Sequence, residues 1–139
     1  MRFHIVAGVY VIIFALFYNF TYTQWAVLLL LIAAILAAEL FNTSLEELCN
    51  LETDGYDPLA KVAKDAAAGA VLVLSIFAAV IAVLFFWDLA VIKNILFFFW
   101  QRPGFIALLL ISIAVSIIFV VLGPKGIRKF FLKIKKTKR

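Results

Sequence analysis

The stretch Glu39–Asp65, ELFNTSLEELCNLETDGYDPLAKVAKD, decides how this chain is read. It holds seven of the eight acidic residues and lies between two long apolar runs. Fourteen uncharged residues, Trp25–Ala38, precede it, and AAAGAVLVLSIFAAVIAVLFFW follows at once. Carboxylates are expensive near hydrocarbon and persist there mainly where they do chemistry or coupling. Glu39 is therefore expected at or just inside a membrane boundary, and the polar stretch is where function is sought.

Outward from that stretch the chain is apolar: 67% of 139 residues, with a mean hydropathy of +1.15. A soluble domain has no use for so much apolar surface, so the chain is expected to be an all-α integral membrane protein, a bundle of transmembrane helices. One crossing takes about 20 apolar residues. Four spans are expected: Phe3–Phe20, Trp25–Leu40, Ala66–Trp87 and Phe105–Leu122. The second helix should continue to about Cys49 and the third should begin near Leu59. No small-residue cleavage site follows the first run, which argues against a signal peptide, and Tyr22-Thr23-Gln24-Trp25 reads as an interfacial turn. The connection DLAVIKNILFFFWQRP, Asp88–Pro103, is too apolar for a solvated loop and reads as an interfacial helix. Pro103-Gly104 should turn the chain into the last span and Gly123-Pro124 should end it. The expected organisation is a membrane core over 1–87, an interfacial helix and additional span over 88–123, and a tail over 124–139.

Eight of the thirteen basic residues lie in the last fifteen positions: Lys125, Arg128, Lys129, Lys133, Lys135, Lys136, Lys138 and Arg139. The positive-inside rule makes this tail cytoplasmic. Four spans then put the N-terminus and the 41–60 segment on the cytoplasmic side of the inner (plasma) membrane. Lys93 and Arg102 fall on the outer side, and the tail outweighs them. Ile127, Phe130, Phe131 and Ile134 recur at helical spacing, which suits a basic amphipathic helix on anionic lipid, although the positive-inside rule alone accounts for the charge. No nucleic-acid partner is expected. One cysteine, Cys49, leaves no disulfide within the chain and no cysteine-based metal site, and with His4 the sole histidine neither a zinc centre nor a Ser-His-Asp hydrolase is expected.

On the helix through 25–49, Glu39, Asn42 and Glu46 are spaced i, i+3, i+7 and share one face, with Thr43 and Glu47 beside them. Gly55, Tyr56, Asp57 and Pro58 mark a loop, after which Lys64 and Asp65 open the next helix. Small residues, Ala66 to Ala70 there and Ala33/Ala37 and Ala34/Ala38 on the preceding helix, permit close helix approach. These are parts for phosphoryl transfer at a membrane surface: a carboxylate for a divalent cation, a lysine for phosphate charge and a base for the attacking hydroxyl. No Walker A motif or Gly-rich kinase loop is present. From residue types alone a small proton-coupled transporter stands level with catalysis, since a lone membrane glutamate serves either. Glu47, Glu52 and Lys61 read as ordinary solvated charges.

E-x-x-N-T-x-x-E (Glu39, Asn42, Thr43, Glu46), a short loop and P-L-A-K-x-A-K-D-x-A-A-G-A-V (Pro58–Val71) together resemble the small prokaryotic diacylglycerol kinase family, and most closely its Gram-positive branch, which includes undecaprenol kinases. The joint motif covers 33 residues, and R-F-H at Arg2–His4 looks like the family's start of its first span. The resemblance implies a homotrimer of three-span protomers that moves the γ-phosphate of MgATP to a lipid alcohol, undecaprenol or diacylglycerol. It implies Glu39 as general base and Glu46 as Mg2+ ligand, with Asn42 orienting the site. It places Gly55, Tyr56 and Asp57 in the nucleotide loop, Lys64 and Asp65 on ATP, and Ala68 near the lipid acceptor. Two departures stand out. The family carries a second metal-binding glutamate on a helix ahead of R-x-H, whereas no acidic residue precedes Glu39 here; the expectation is an impaired site, an upstream start, or a substitute carboxylate from Glu52, Asp54 or Asp57. The fourth span and basic tail also go beyond the three-span core, and an inactive family member is the remaining alternative.

Overall fold

The structure, a computed structural model, describes residues 1–52, 55 and 57–137, with the backbone alone for Glu52 and 124–137. Five helices follow in order: α1 Arg2–Ala15, α2 Tyr22–Glu52, α3 Pro58–Phe86, α4 Leu89–Gln101 and α5 Pro103–Thr137, with no strand among the described residues. The bundle is thus all-α. Three helices are long and apolar enough to cross a membrane: Tyr22–Leu51, Pro58–Phe86 and Pro103–Gly123. The first expected span is an apolar helix of 14 residues followed by a turn. At 1.5 Å per residue it extends about 21 Å, against about 30 Å of hydrocarbon.

Ala15, Leu28 and Ile35 are the buried apolar residues among those described, while large side chains such as Leu30, Leu84 and Trp87 are more than 70% exposed. A water-soluble fold would collapse further; here the apolar exterior has lipid as its solvent. Hydroxyls inside the helices bond to their own backbone, Ser75 Oγ donating to the Val71 carbonyl and Ser112 Oγ to that of Leu109, each at 2.8 Å.

The helix starts follow from local chemistry. Thr21 and Gln24 form a capping box: the Gln24 amide donates to Thr21 Oγ1 at 3.3 Å and the Thr21 amide to Gln24 Oε1 at 2.9 Å. Tyr22–Trp25 is therefore the first turn of α2 rather than the expected interfacial turn, and the reversal falls at 16–21, where i→i−3 bonds such as Phe17 N–H to the Phe14 carbonyl tighten the chain. Asp57 caps α3, its Oδ1 accepting from the amides of Leu59 at 2.7 Å and Ala60 at 3.2 Å, and Pro58 takes the first helical position. Helix α2 runs three residues beyond the expected end near Cys49, and α3 starts one residue before the expected Leu59.

The chain forms two compact units, one containing Phe3–Asp88 and the other running from Leu89 onward. In the first, α2 and α3 pack along each other, and α1 meets α2 at Gly8 and at Glu39. At Gly8 a Cβ would lie 3.1 Å from Ile32 Cγ2, so α1 approaches α2 as closely as a glycine allows. The far end is closed by aromatic rings, Tyr18 on Phe86 at 5.0 Å and Phe20 on Phe85 at 5.6 Å, and Tyr18 Oη donates to the Phe86 carbonyl at 2.9 Å. In the second unit the expected interfacial stretch is α4. Arg102 separates it from α5 and stacks over the Phe98 ring at 5.0 Å. Gly123, at φ 64° and ψ 175°, breaks α5 where the span was expected to end.

Candidate functional site

Along α2 one stripe runs Leu28, Ile32, Ile35, Glu39, Asn42, Glu46, Asn50, each step three or four residues. Its first half is the buried or half-buried seam of the bundle, and its second half is polar. The periodicity that packs Leu28 and Ile35 against their neighbours therefore aims Glu39 and Asn42 the same way. Both remain half-buried, whereas Glu46 and Asn50 are exposed beyond them. Measured on the helix axis, Glu46 lies about 10 Å and Asn50 about 16 Å from Glu39.

The Glu39 side chain is only 14% exposed and meets α1. His4 Nδ1 lies 2.6 Å from its Oε1, and the Met1 amino group contacts Oε2. Although so close, the buried His4 nitrogen has no partner that meets hydrogen-bond geometry, so the contact is a close approach rather than an aligned bond. Thr43, next to the stripe, spends its hydroxyl on the Glu39 carbonyl at 2.8 Å.

At the outer end of the stripe α3 joins. Lys64 Nζ donates to Asn50 Oδ1 at 2.8 Å, tying the start of α3 to the end of α2. Cys49, the neighbour of Asn50, places Sγ 3.9 Å from the Ala60 carbonyl, a packing contact as its apolar character suggests. Asp65 is exposed, and so is Ala68, which lies beside the inward face of α3 rather than on it. Gly55 is exposed and Asp57 is half-buried, with one carboxylate oxygen committed to the cap. Tyr56 and Asp54 lie outside the described residues, as does the side chain of Glu52.

Two side chains beyond the expected set thus join it. His4 was noted in R-F-H as a motif residue, but spacing within one helix does not reveal which glutamate it meets. Asn50 lies i+4 from Glu46, a signal that was available. Between the helices, Phe3, His4, Gly8, Ile32, Ile35 and Ser75 are among the residues lining an apolar cavity of about 230 Å³.

Among the described residues no group of three or more His, Cys, Asp or Glu side chains gathers to hold a metal by itself. Magnesium is commonly bound by one or two carboxylates together with substrate phosphates. Glu46, exposed between Glu39 and Lys64, meets that lesser requirement.

Helices long and apolar enough to cross a membrane, with a carboxylate near the apolar seam and an anchored lysine at the polar end, define the class: an all-α protein of membrane-span helices with a charged patch at one end of its first unit. Comparison with known proteins narrows it. Residues 1–86 match the family described as Prokaryotic diacylglycerol kinase, which is the α1–α3 unit almost to its end. The chain is 40% identical over 85 residues to the undecaprenol kinase of Bacillus subtilis, covering 61% of this chain and 69% of that protein. It is 41% identical over 81 residues to the diacylglycerol kinase of Synechocystis, covering 58% of this chain and 46% of that protein. No solved structure matches it significantly. This chain belongs to the prokaryotic diacylglycerol kinase family of membrane lipid kinases.

Proposed function

We propose that the chain transfers the γ-phosphate of ATP to the hydroxyl of a membrane lipid alcohol, at the cytoplasmic surface of the plasma membrane, as a homotrimer. The observation that carries this reading is the order of groups on the α2 stripe. The least exposed is Glu39, next to the apolar seam where a lipid hydroxyl comes to rest. Glu46 follows two turns along, and Lys64 of α3, held by Asn50, stands at the end of the stripe. A triphosphate lying along this stripe has its inner end toward Glu39 and its charge near Lys64.

In this reading Glu39 takes the proton of the lipid hydroxyl as its oxygen forms the new bond to the γ-phosphorus, and ADP leaves with the electron pair of the broken phosphoanhydride bond. Asn42, one turn along, orients the hydroxyl or the γ-phosphate through its amide. Lys64 balances phosphate charge, with Asp65 and the 55–57 loop contacting the nucleotide. Glu46 would hold Mg2+ together with the phosphates, and the ion would supply charge neutralisation there. Since phosphoryl transfer asks the protein chiefly for positioning and electrostatics, few side chains suffice. Ala68, exposed beside the inward face of α3, suits a lipid-facing position. Undecaprenol is the favoured acceptor because the Bacillus relative, of which the match spans the larger share, carries that name.

The test is Glu39→Gln. Transfer to lipid should fall by on the order of 10²-fold or more, the contribution of a positioned general base, while ATP binding is kept. Loss of ATP binding together with transfer would make Glu39 structural and refute the assignment.

A further inference from the structure

The geometry points to His4 as the residue that positions the Glu39 carboxylate, a role resting on the kinase reading above. His4 is the sole histidine of the chain, and it stands in the first turn of α1 with Nδ1 2.6 Å from Glu39 Oε1. Its side chain is 24% exposed, and Nδ1 is buried. A buried ring nitrogen costs free energy until it is paired. The carboxylate oxygen is within reach, so a small ring rotation converts the approach into an Nδ1–H···Oε1 bond.

The placement is fixed from three sides. Phe3 packs edge-on against the ring with centroids 5.4 Å apart. One turn further along α1, Gly8 seats the helix against Ile32, two turns before Glu39 on the same α2 stripe. The ring also lines the apolar cavity between α1, α2 and α3. His4 thus touches both the carboxylate and the apolar cavity, and it fixes the plane of the carboxylate toward which a lipid hydroxyl must approach. A carboxylate free to rotate would spend much of its time misaimed, and misplacement by an ångström can cost on the order of 10²-fold in rate.

The structure names the atom, and that makes the test selective. An asparagine at this position puts an amide N–H where Nδ1 stands; a glutamine puts it where Nε2 stands. The experiment measures kcat and KM for ATP in mixed micelles for the wild-type chain and for His4→Leu, His4→Gln and His4→Asn. Leu and Gln should lower kcat by between about 10- and 100-fold with KM for ATP unchanged, and Asn should return it to within a few-fold of wild type. Equal kcat in all four, an Asn variant as poor as Leu, or a parallel rise in KM for ATP overturns the positioning role. A wild-type chain that phosphorylates no lipid alcohol overturns the kinase reading itself and the role of His4 with it. The Met1 amino group faces the other oxygen, so the series is repeated with a short neutral segment ahead of Met1. The His4 dependence should persist there; its disappearance would assign control of Glu39 to the amino group and sink the proposal.

Discussion

Filling the α1–α2 contact at Gly8 should slow catalysis in proportion to the space taken. A Cβ at position 8 would lie 3.1 Å from Ile32 Cγ2. Ordinary carbon–carbon contact begins at about 3.5 Å, so Gly8→Ala asks for a retreat of roughly 0.4 Å. Replacing a helical glycine with alanine gains about 1 kcal/mol of helix propensity, of the same order as a clash this small. Stability should therefore change little. The geometry does change: His4 lies about 6 Å from Gly8 along the same helix and moves with it, lengthening its 2.6 Å approach to Glu39. Scaling from a loss on the order of 10²-fold per ångström, Gly8→Ala should lower kcat several-fold. Gly8→Leu adds three more carbons, should destabilise by about 1–3 kcal/mol and should lower kcat by on the order of 10²-fold. The three atoms of Ile32 within 4 Å of that Cβ are Cγ2, Cγ1 and Cδ1, and Ile32→Ala removes all of them. Adding it to Gly8→Ala should restore kcat. The assay is lipid phosphorylation in mixed micelles, with thermal unfolding of the same samples. Wild-type kcat in Gly8→Leu, or no rescue by Ile32→Ala, would refute the link between this contact and the site.

Two further outcomes follow from single contacts. Asp57→Ala should destabilise the chain by about 1 kcal/mol by removing the α3 cap, while Asp57→Asn keeps the acceptor and should be nearly neutral in thermal unfolding; a rise in KM for ATP in the Asn variant would show that the charge also meets the nucleotide. Asn50→Ala releases Lys64 from its 2.8 Å bond and should raise KM for ATP a few-fold with little change in kcat; an unchanged KM would mean that Lys64 does not need the anchor.

The α2–α3 unit was largely legible from Glu39–Asp65 alone. The long apolar helices, the break around Gly55 and the common face of Glu39, Asn42 and Glu46 all rest on intrahelical period and on Pro and Gly punctuation, which are local properties. Contacts between helices were less legible. Nothing in the spacing of α1 indicates that His4 meets Glu39, because that depends on the Gly8–Ile32 approach and on where the chain reverses. The reversal itself was misplaced: Tyr22–Trp25 was read by its interfacial aromatics, whereas the Thr21–Gln24 capping box starts a helix there. Asn50 escaped notice because it looks like a solvated helix end until Lys64 of the next helix is laid across it.

The most direct measurement is transfer of labelled phosphate from MgATP by this chain in mixed micelles, with undecaprenol and diacylglycerol offered side by side. The account predicts a labelled lipid phosphate, with undecaprenol preferred, and on the order of 10²-fold less, or lower still, from Glu39→Gln. A chain that binds ATP yet labels neither lipid would contradict it.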